Sequence, residues 1–250
     1  RMLGSSASVA TPNIILNTAV AEALSQFAKE LEGTAPEEME HAVHELIKRA
    51  VKKHKKVIFN GNGYTEEWIE EAKKRGLYNL VSTPDCLPQF IADKNVELFT
   101  KHHIFTKEEI FSRYEILLEN YVKTISIEAK TMKEMLAKDF LPAVERYAAA
   151  VSDNMRSMKA LAPSVPTASA ASLVAFLGEA YEKISSSLDV LEKEIQETDK
   201  KTSMQEAADY CHNTLLASME ELRKTADEAE AKIPDEELPY PTYDALLFSV

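Results

Sequence analysis

Arg1 lies just ahead of a Gly4-Ser5-Ser6 turn and is the side chain here best suited to gripping an anion. A guanidinium stays charged, and its planar fork meets carboxylate or phosphate oxygens with two parallel hydrogen bonds. So placed, it reads as the edge of a substrate site whose other half precedes it; the plainer alternative is a surface arginine. Other chemistry-bearing residues form weaker sets. Glu38-x-x-His41, with His44 one turn on, is half of a carboxylate-bridged di-metal pattern. Such a site needs a second Glu-x-x-His and two further carboxylates on other helices, for which Asp209-x-x-His212 is a poor substitute. Gly61-x-Gly63 after Val57-Ile58-Phe59 begins like a dinucleotide fingerprint, but Glu66 stands where the third glycine belongs, leaving a tight Asn-Gly turn. His102-His103 falls at a helix end and reads as capping or solvated. No Ser/His/Asp or Cys/His set has context for nucleophilic catalysis.

Helices must position these groups, because the chain has only six glycines and almost no strand-like runs. The first helix is expected to start with Thr11 as N-cap and Pro12 at the first helical position, and to stop at Gly33. The second enters through Pro36, and Met39, Val43, Leu46, Ile47, Ala50 and Val51 give it one apolar face. Val57-Ile58-Phe59 is the best strand candidate. Thr65 caps a brief helix through Trp68 and Ile69, closed by Gly76. Pro84 and Pro88 break up the next stretch. Thr106-x-x-Glu109 is a capping box opening the longest helical run. Its apolar seam is Ile110, Tyr114, Leu117, Tyr121 and Ile125, continuing through Met132 and Met135. Trp68, Tyr114 and Tyr121 are expected in the core. Pro142 should kink or end that run, and Pro163 with Pro166 marks a linker.

After the linker, Leu173, Leu177, Ala180, Ile184, Leu188, Leu191 and Ile195 repeat at helical spacing. Met204, Ala208, Cys211, Leu215, Met219, Leu222 and Ala226 repeat that spacing step for step. Thr202-Ser203-Met204-Gln205 between them is a second capping box, so the two helices fold back as an antiparallel hairpin. With the later part of the preceding long helix they form a three-helix bundle.

Composition excludes several functions. The 250 residues are 45% hydrophobic and 28% charged, ordinary for a folded chain with a core. No run is long enough to span a bilayer, so no membrane partner is expected, and no secretory or transit pattern opens the chain. Cys86 and Cys211 have no metal or redox spacing and are expected as reduced cytosolic thiols. Residues 1–128 carry 16 Lys/Arg against 19 Asp/Glu, and residues 129–250 carry 13 against 22. That acidic second half disfavours nucleic acid. The basic run Arg49, Lys52, Lys53, Lys55 and Lys56 complements the dipole at a helix C-terminus.

Several blocks together resemble a known family. Arg1 through Asn13, followed by Leu16 through Leu24, is similar to the end of the glutamine synthetase catalytic domain, where a Glu-x-Arg strand and a turn lead into a Pro-led helix rich in Ala and Leu. Gly4-Ser5-Ser6, Val57 through Tyr64 and the ending Leu238 through Val250 look like the type III branch. Thr83-Pro84-Asp85 through Phe99, Ile104 through Glu108, Tyr114-Glu115 and Tyr121 look like the family's C-terminal helices. The implied fold class is mainly α: the end of that catalytic domain plus a long-helix, antiparallel-hairpin bundle. The implied domains are 1–128 as the C-terminal part of the catalytic domain, 129–237 as a bundle extension, and 238–250 as a tail packing back on the catalytic part.

The resemblance implies a ligase joining ammonia to the side-chain carboxylate of glutamate, using ATP and passing through γ-glutamyl phosphate with Mg2+ or Mn2+. Arg1 matches the last arginine of the Glu-x-Arg motif, a substrate-binding residue that contacts the glutamate side chain and the phosphoryl group. No catalytic, cofactor or metal residue is assigned within the segment. The metal-binding Glu falls two positions upstream, so the segment alone is expected to be inactive. A ring-shaped homo-oligomer in the cytoplasm is implied as well. The competing reading is a non-catalytic helical interaction module, which the matching seams and acidic surface fit equally. A third keeps the fold but takes a larger amine than ammonia.

Overall fold

A computed structural model describes residues 8–248. The fold is mainly α, 78% helical, with no strand among the described residues. It divides into two compact units, Arg1–Glu115 and Ile116–Val250, the division falling inside one long helix.

The first unit holds α1 (Ala10–Leu31), α2 (Met39–His54), α3 (Glu66–Lys74), α4 (Thr83–Phe90), α5 (Asp93–Lys101) and the start of α6 (Lys107–Met135). α1 begins earlier than Thr11 predicts: Val9 occupies the N-cap, and the Ser8 hydroxyl accepts the Ala10 N–H at 3.2 Å. Pro12 tolerates this because every position of the first turn leaves its N–H unpaired within the helix. α2 begins later than Pro36 predicts, after a turn in which the Glu38 N–H donates to the Ala35 carbonyl at 3.0 Å.

The strand expected at Val57–Phe59 is absent. Lys55–Val57 form a 3-10 turn and Ile58 is extended, at φ −84° and ψ 118°. A ladder needs a neighbouring strand. Here Arg75 Nη1 donates instead to the carbonyls of Lys56 and Ile58, at 3.3 and 2.9 Å. The Phe59 ring stacks on Trp68, centroids 4.0 Å apart. Gly76, at φ 68°, closes α3 as predicted, with the Leu77 N–H reaching back to the Ala72 carbonyl at 2.9 Å.

Pro84 and Pro88 do not interrupt the next stretch but belong to α4, which Ser82 caps by accepting the Asp85 N–H at 3.2 Å. Phe99 stands 5.5 and 5.6 Å from Phe90 and Phe105, an aromatic knot that joins α4, α5 and the approach to α6. The Thr106–Glu109 capping box is complete: Glu109 N–H donates to Thr106 Oγ1 at 3.2 Å and Thr106 N–H to Glu109 Oε2 at 2.8 Å.

In the second unit, the end of α6 continues through a π-helical turn, Leu136–Phe140, into α7 (Leu141–Leu161). Pro142 neither ends nor breaks this rod. The Leu141 N–H bonds the Leu136 carbonyl five residues back, and the widened turn admits a residue with no N–H to give. α8 (Ala168–Thr198) matches the predicted first arm of the hairpin, and α9 (Met204–Tyr210), a second π turn (Cys211–Leu215) and α10 (Leu216–Glu230) make the return arm. The helix start at 204 is capped one residue later than the box at Thr202–Gln205 predicts: Ser203 Oγ accepts the Glu206 N–H at 3.2 Å, and Thr202 donates its hydroxyl to Glu206 Oε2 at 2.7 Å.

α8 packs against both α7 and α10 around a continuous apolar core that includes Phe140, Leu177, Ile184, Leu191, Leu215 and Leu222. The predicted seams hold on α8. On α6 they hold at Ile110, Tyr114 and Ile125 and slip by one residue at two places: Leu118 is fully buried and Leu117 is 38% exposed, and Leu136 is buried where Met135 is exposed. Tyr114 is buried as expected, Tyr121 partly so against the bundle core. Two polar links cross the bundle. Lys133 pairs with Glu192, and Ser218 Oγ donates to Glu194 Oε1 at 2.9 Å. Leu238 and Tyr240 pack on the bundle core, and burial, with Glu230 and Asp139 nearby, pushes the Tyr240 hydroxyl up to about 12. The short α11 (Tyr243–Leu247) follows, with Tyr243, Leu247 and Phe248 largely exposed.

Candidate functional site

Arg1 lies outside the described residues. The element that carries the chain away from it is α1, and Glu22 fixes α1 in place. Glu22 Oε1 accepts Lys101 Nζ and Gln26 Nε2, both at 2.7 Å; its Oε2 accepts Lys101 Nζ at 2.7 Å and lies 2.6 Å from His102 Nε2. The end of α5 presents those two partners side by side. The Ile104 N–H returns to the Phe99 carbonyl at 3.0 Å, and His103 takes a left-handed φ of 52° to make that closure. Lys101 first, then Gln26 and His102, hold the Glu22 carboxyl down at about 2. A carboxylate engaged by three donors is poorly suited to accept a proton. It acts as a clamp, tying α1 to α5 over some eighty residues of sequence.

His102 occupies the C-cap of α5 and His103 is exposed, as the sequence suggested, but the His102 ring is also paired with Glu22 across two helices. The Glu22–Gln26 spacing is readable as a helical pair; the partners at Lys101 and His102 are not, because nothing local links them. Thr18, buried one turn before Glu22, satisfies its hydroxyl on the Ile14 carbonyl at 2.7 Å.

The other sets separate. Gly61 makes room for an aromatic stack, since a Cβ there would lie 2.5 Å from Phe59 Cζ. Asn62 Oδ1 accepts the Tyr64 N–H at 3.1 Å, an Asx turn of the kind the sequence predicts. Glu38, His41 and His44 on one side and Asp209 with His212 on the other form no cluster: among the described residues no three His, Cys, Asp or Glu side chains stand together as a metal site. Cys86 is exposed and Cys211 buried, both free thiols whose pKa values are raised by desolvation. The grooves of the second unit are shallow; one is lined by Arg223, Asp227, Glu230, Ile233, Asp235 and Leu238. No described helix is long and apolar enough to cross a membrane.

Comparison with known proteins gives this geometry a family. Residues 42–159 match the glutamine synthetase C-terminal domain, a stretch running from α2 through most of α7. The chain is 45% identical over 214 residues to a glutamine synthetase of Butyrivibrio fibrisolvens, covering 86% of this chain and 31% of that protein. It is 33% identical over 253 aligned residues to a type-3 glutamine synthetase of Dictyostelium discoideum, covering 99% of this chain and 34% of the relative. A glutamine synthetase of Bacteroides fragilis is 27% identical along the whole chain. The chain spans about a third of the length of the curated relatives it matches. Over residues 42–159 the chain thus carries a glutamine synthetase C-terminal domain, and along its length it is similar to glutamine synthetases.

Proposed function

We propose that this chain is the C-terminal part of a type III glutamine synthetase, serving the ATP-dependent ligation of ammonia to glutamate through γ-glutamyl phosphate. The observation that carries this reading is the similarity to the type-3 relative along nearly the entire chain. In such a reaction negative charge gathers on the transferring phosphoryl group and on the tetrahedral adduct, and preorganised cations lower the barrier. Arg1 is the cationic group this chain offers, its fork holding the glutamate side chain and the phosphoryl oxygens.

The described residues do not fit a metal, so no step is routed through one here. In this reading the rest of the polypeptide holds ATP and the Mg2+ or Mn2+ ions, and the segment by itself is inactive. Residues 1–128 end the catalytic domain, 129–237 form the bundle, and 238–250 return to the catalytic part. The enzyme works in the cytoplasm as a homo-oligomeric ring, for which the bundle supplies assembly surface.

The test is Arg1→Lys in the complete protein. Charge survives and the two-pronged geometry does not, so glutamine formation should fall by roughly a hundredfold or more, the range lost with one transition-state donor. Thermal stability should stay level. An unchanged rate removes Arg1 from the site. A complete protein that forms no glutamine from glutamate, ammonia and ATP refutes the ligase itself.

A further inference from the structure

The end of α2 is the most concentrated charge in the chain. Residues 48–56 hold six Lys/Arg and no acid. Lys48 pairs with Glu45 and Arg49 with Glu30, whereas Lys52, Lys53, Lys55 and Lys56 are exposed and make no ion pair among the described residues. Aliphatic side chains stand among them: Ile47, Val51, Val57 and Ile58 are 52–58% exposed. A solvated helix end explains the lysines through the helix dipole but does not account for the aliphatic groups exposed among them.

The opposite character sits near the other end of the sequence. Residues 227–237 hold six Asp/Glu and one Lys. Glu228, Glu236 and Glu237 are exposed and likewise make no ion pair among the described residues. Close behind them come the exposed Leu247 and Phe248, 76% and 77% open to solvent. Each surface thus combines a block of one charge sign with bare apolar groups, and the two blocks are opposite in sign.

We infer that the basic, apolar end of α2 docks the acidic C-terminal stretch, residues 227–248, of a second copy of this chain. The charges orient and select the partner, and the apolar groups supply the area that excludes water. The contact is heterologous, each copy giving one surface and receiving the other, which is the geometry that closes into rings or runs on as filaments. It rests on the assembly part of the proposed function and names the surfaces and the copy to which the tail returns; it needs nothing from the ligase chemistry.

Two variants of the complete protein test it, K52E/K53E/K55E/K56E and E228K/E230K/E236K/E237K, compared with the parent by sedimentation velocity. Far-ultraviolet circular dichroism checks that the helices are retained. In the first variant both surfaces are acidic and in the second both are basic, so each alone should assemble at least about tenfold more weakly, about 1.4 kcal/mol. Mixed in equal amounts, every acidic surface again finds a basic one, and large species should return. The parent should also dissociate more readily as salt is raised, since exposed charges are screened beyond about 8–10 Å at physiological ionic strength. Assembly of both variants like the parent, or a mixture that stays as dissociated as its parts, overturns the inference; the latter is the result expected if the tail returns within its own copy. Glutamine formation by the parent is measured separately, so failure of the contact and failure of the ligase reading are distinguishable.

Discussion

Leu117 and Leu118 offer the sharpest test of the packing argument, because the sequence seam buries the first and the structure buries the second. Leu118 is 0% exposed and Leu117 is 38% exposed. Leu118→Ala removes three carbons, about 2.4 kcal/mol of transfer free energy at about 0.8 kcal/mol each. If roughly 50 Å3 of the vacated space fails to relax, the cavity adds about 1.2 kcal/mol, for about 3.5 kcal/mol in all. Leu117→Ala forfeits only the covered part of the side chain and leaves a hollow that water fills, about 1–1.5 kcal/mol. The measurement is hydrogen–deuterium exchange of the α6 amides after residue 116. Amides that open with the helix should exchange about 300-fold faster in Leu118→Ala and about tenfold faster in Leu117→Ala. The reverse order would mean that the seam runs through Leu117 as the simple periodicity has it, and equal acceleration that neither leucine is buried over the other; either refutes the packing described.

Gly61→Ala should push Phe59 off Trp68, given the 2.5 Å approach of a new Cβ to the ring. The loss is about 1 kcal/mol of ring pairing. Trp68 is the sole tryptophan, so its emission should shift to the red, and unchanged emission would count against the stack. Ser203→Ala removes the cap of α9 and should cost about 1 kcal/mol by urea unfolding, whereas an unaltered midpoint would return the cap to Thr202. The Glu22 clamp has a pH signature. Its folded pKa, about 2, lies below the unfolded value, so its contribution is present above about pH 4.5 and fades as pH falls toward 2. Exchange at α1 and the end of α5 should quicken over that window in the parent but show no such step in Glu22→Gln; matching profiles would show that Glu22 does not tie the helices.

Local chemistry makes much of this chain legible without coordinates. The Thr106–Glu109 box, the Gly76 stop and the seam of α8 all follow from groups within a few residues of one another, where helical geometry alone decides who meets whom. The same reach explains the misses. Thr11, Pro36 and Thr202 are each adequate starts, and a neighbour won by one to three residues because competing caps differ by less than about 1–2 kcal/mol. Of the candidate site, the sequence offered Arg1 and the family; the residues that anchor α1 behind it were hidden, since Glu22 and Lys101 meet only after the chain has folded.

By itself the sequence determined that the chain is helical, where some helices begin or end, as at Thr106 and Gly76, and that α8 and its return arm share an apolar seam. Tertiary structure decided what periodicity cannot carry: a π turn that lets Pro142 lie inside a continuous rod, a second at Cys211–Leu215, the one-residue slip that buries Leu118, and the His102–Glu22 pair. The physical reason is one of range. Hydrogen bonds along a helix are set within four or five residues, but a side chain's burial and a charge's partner depend on which distant surface arrives against it.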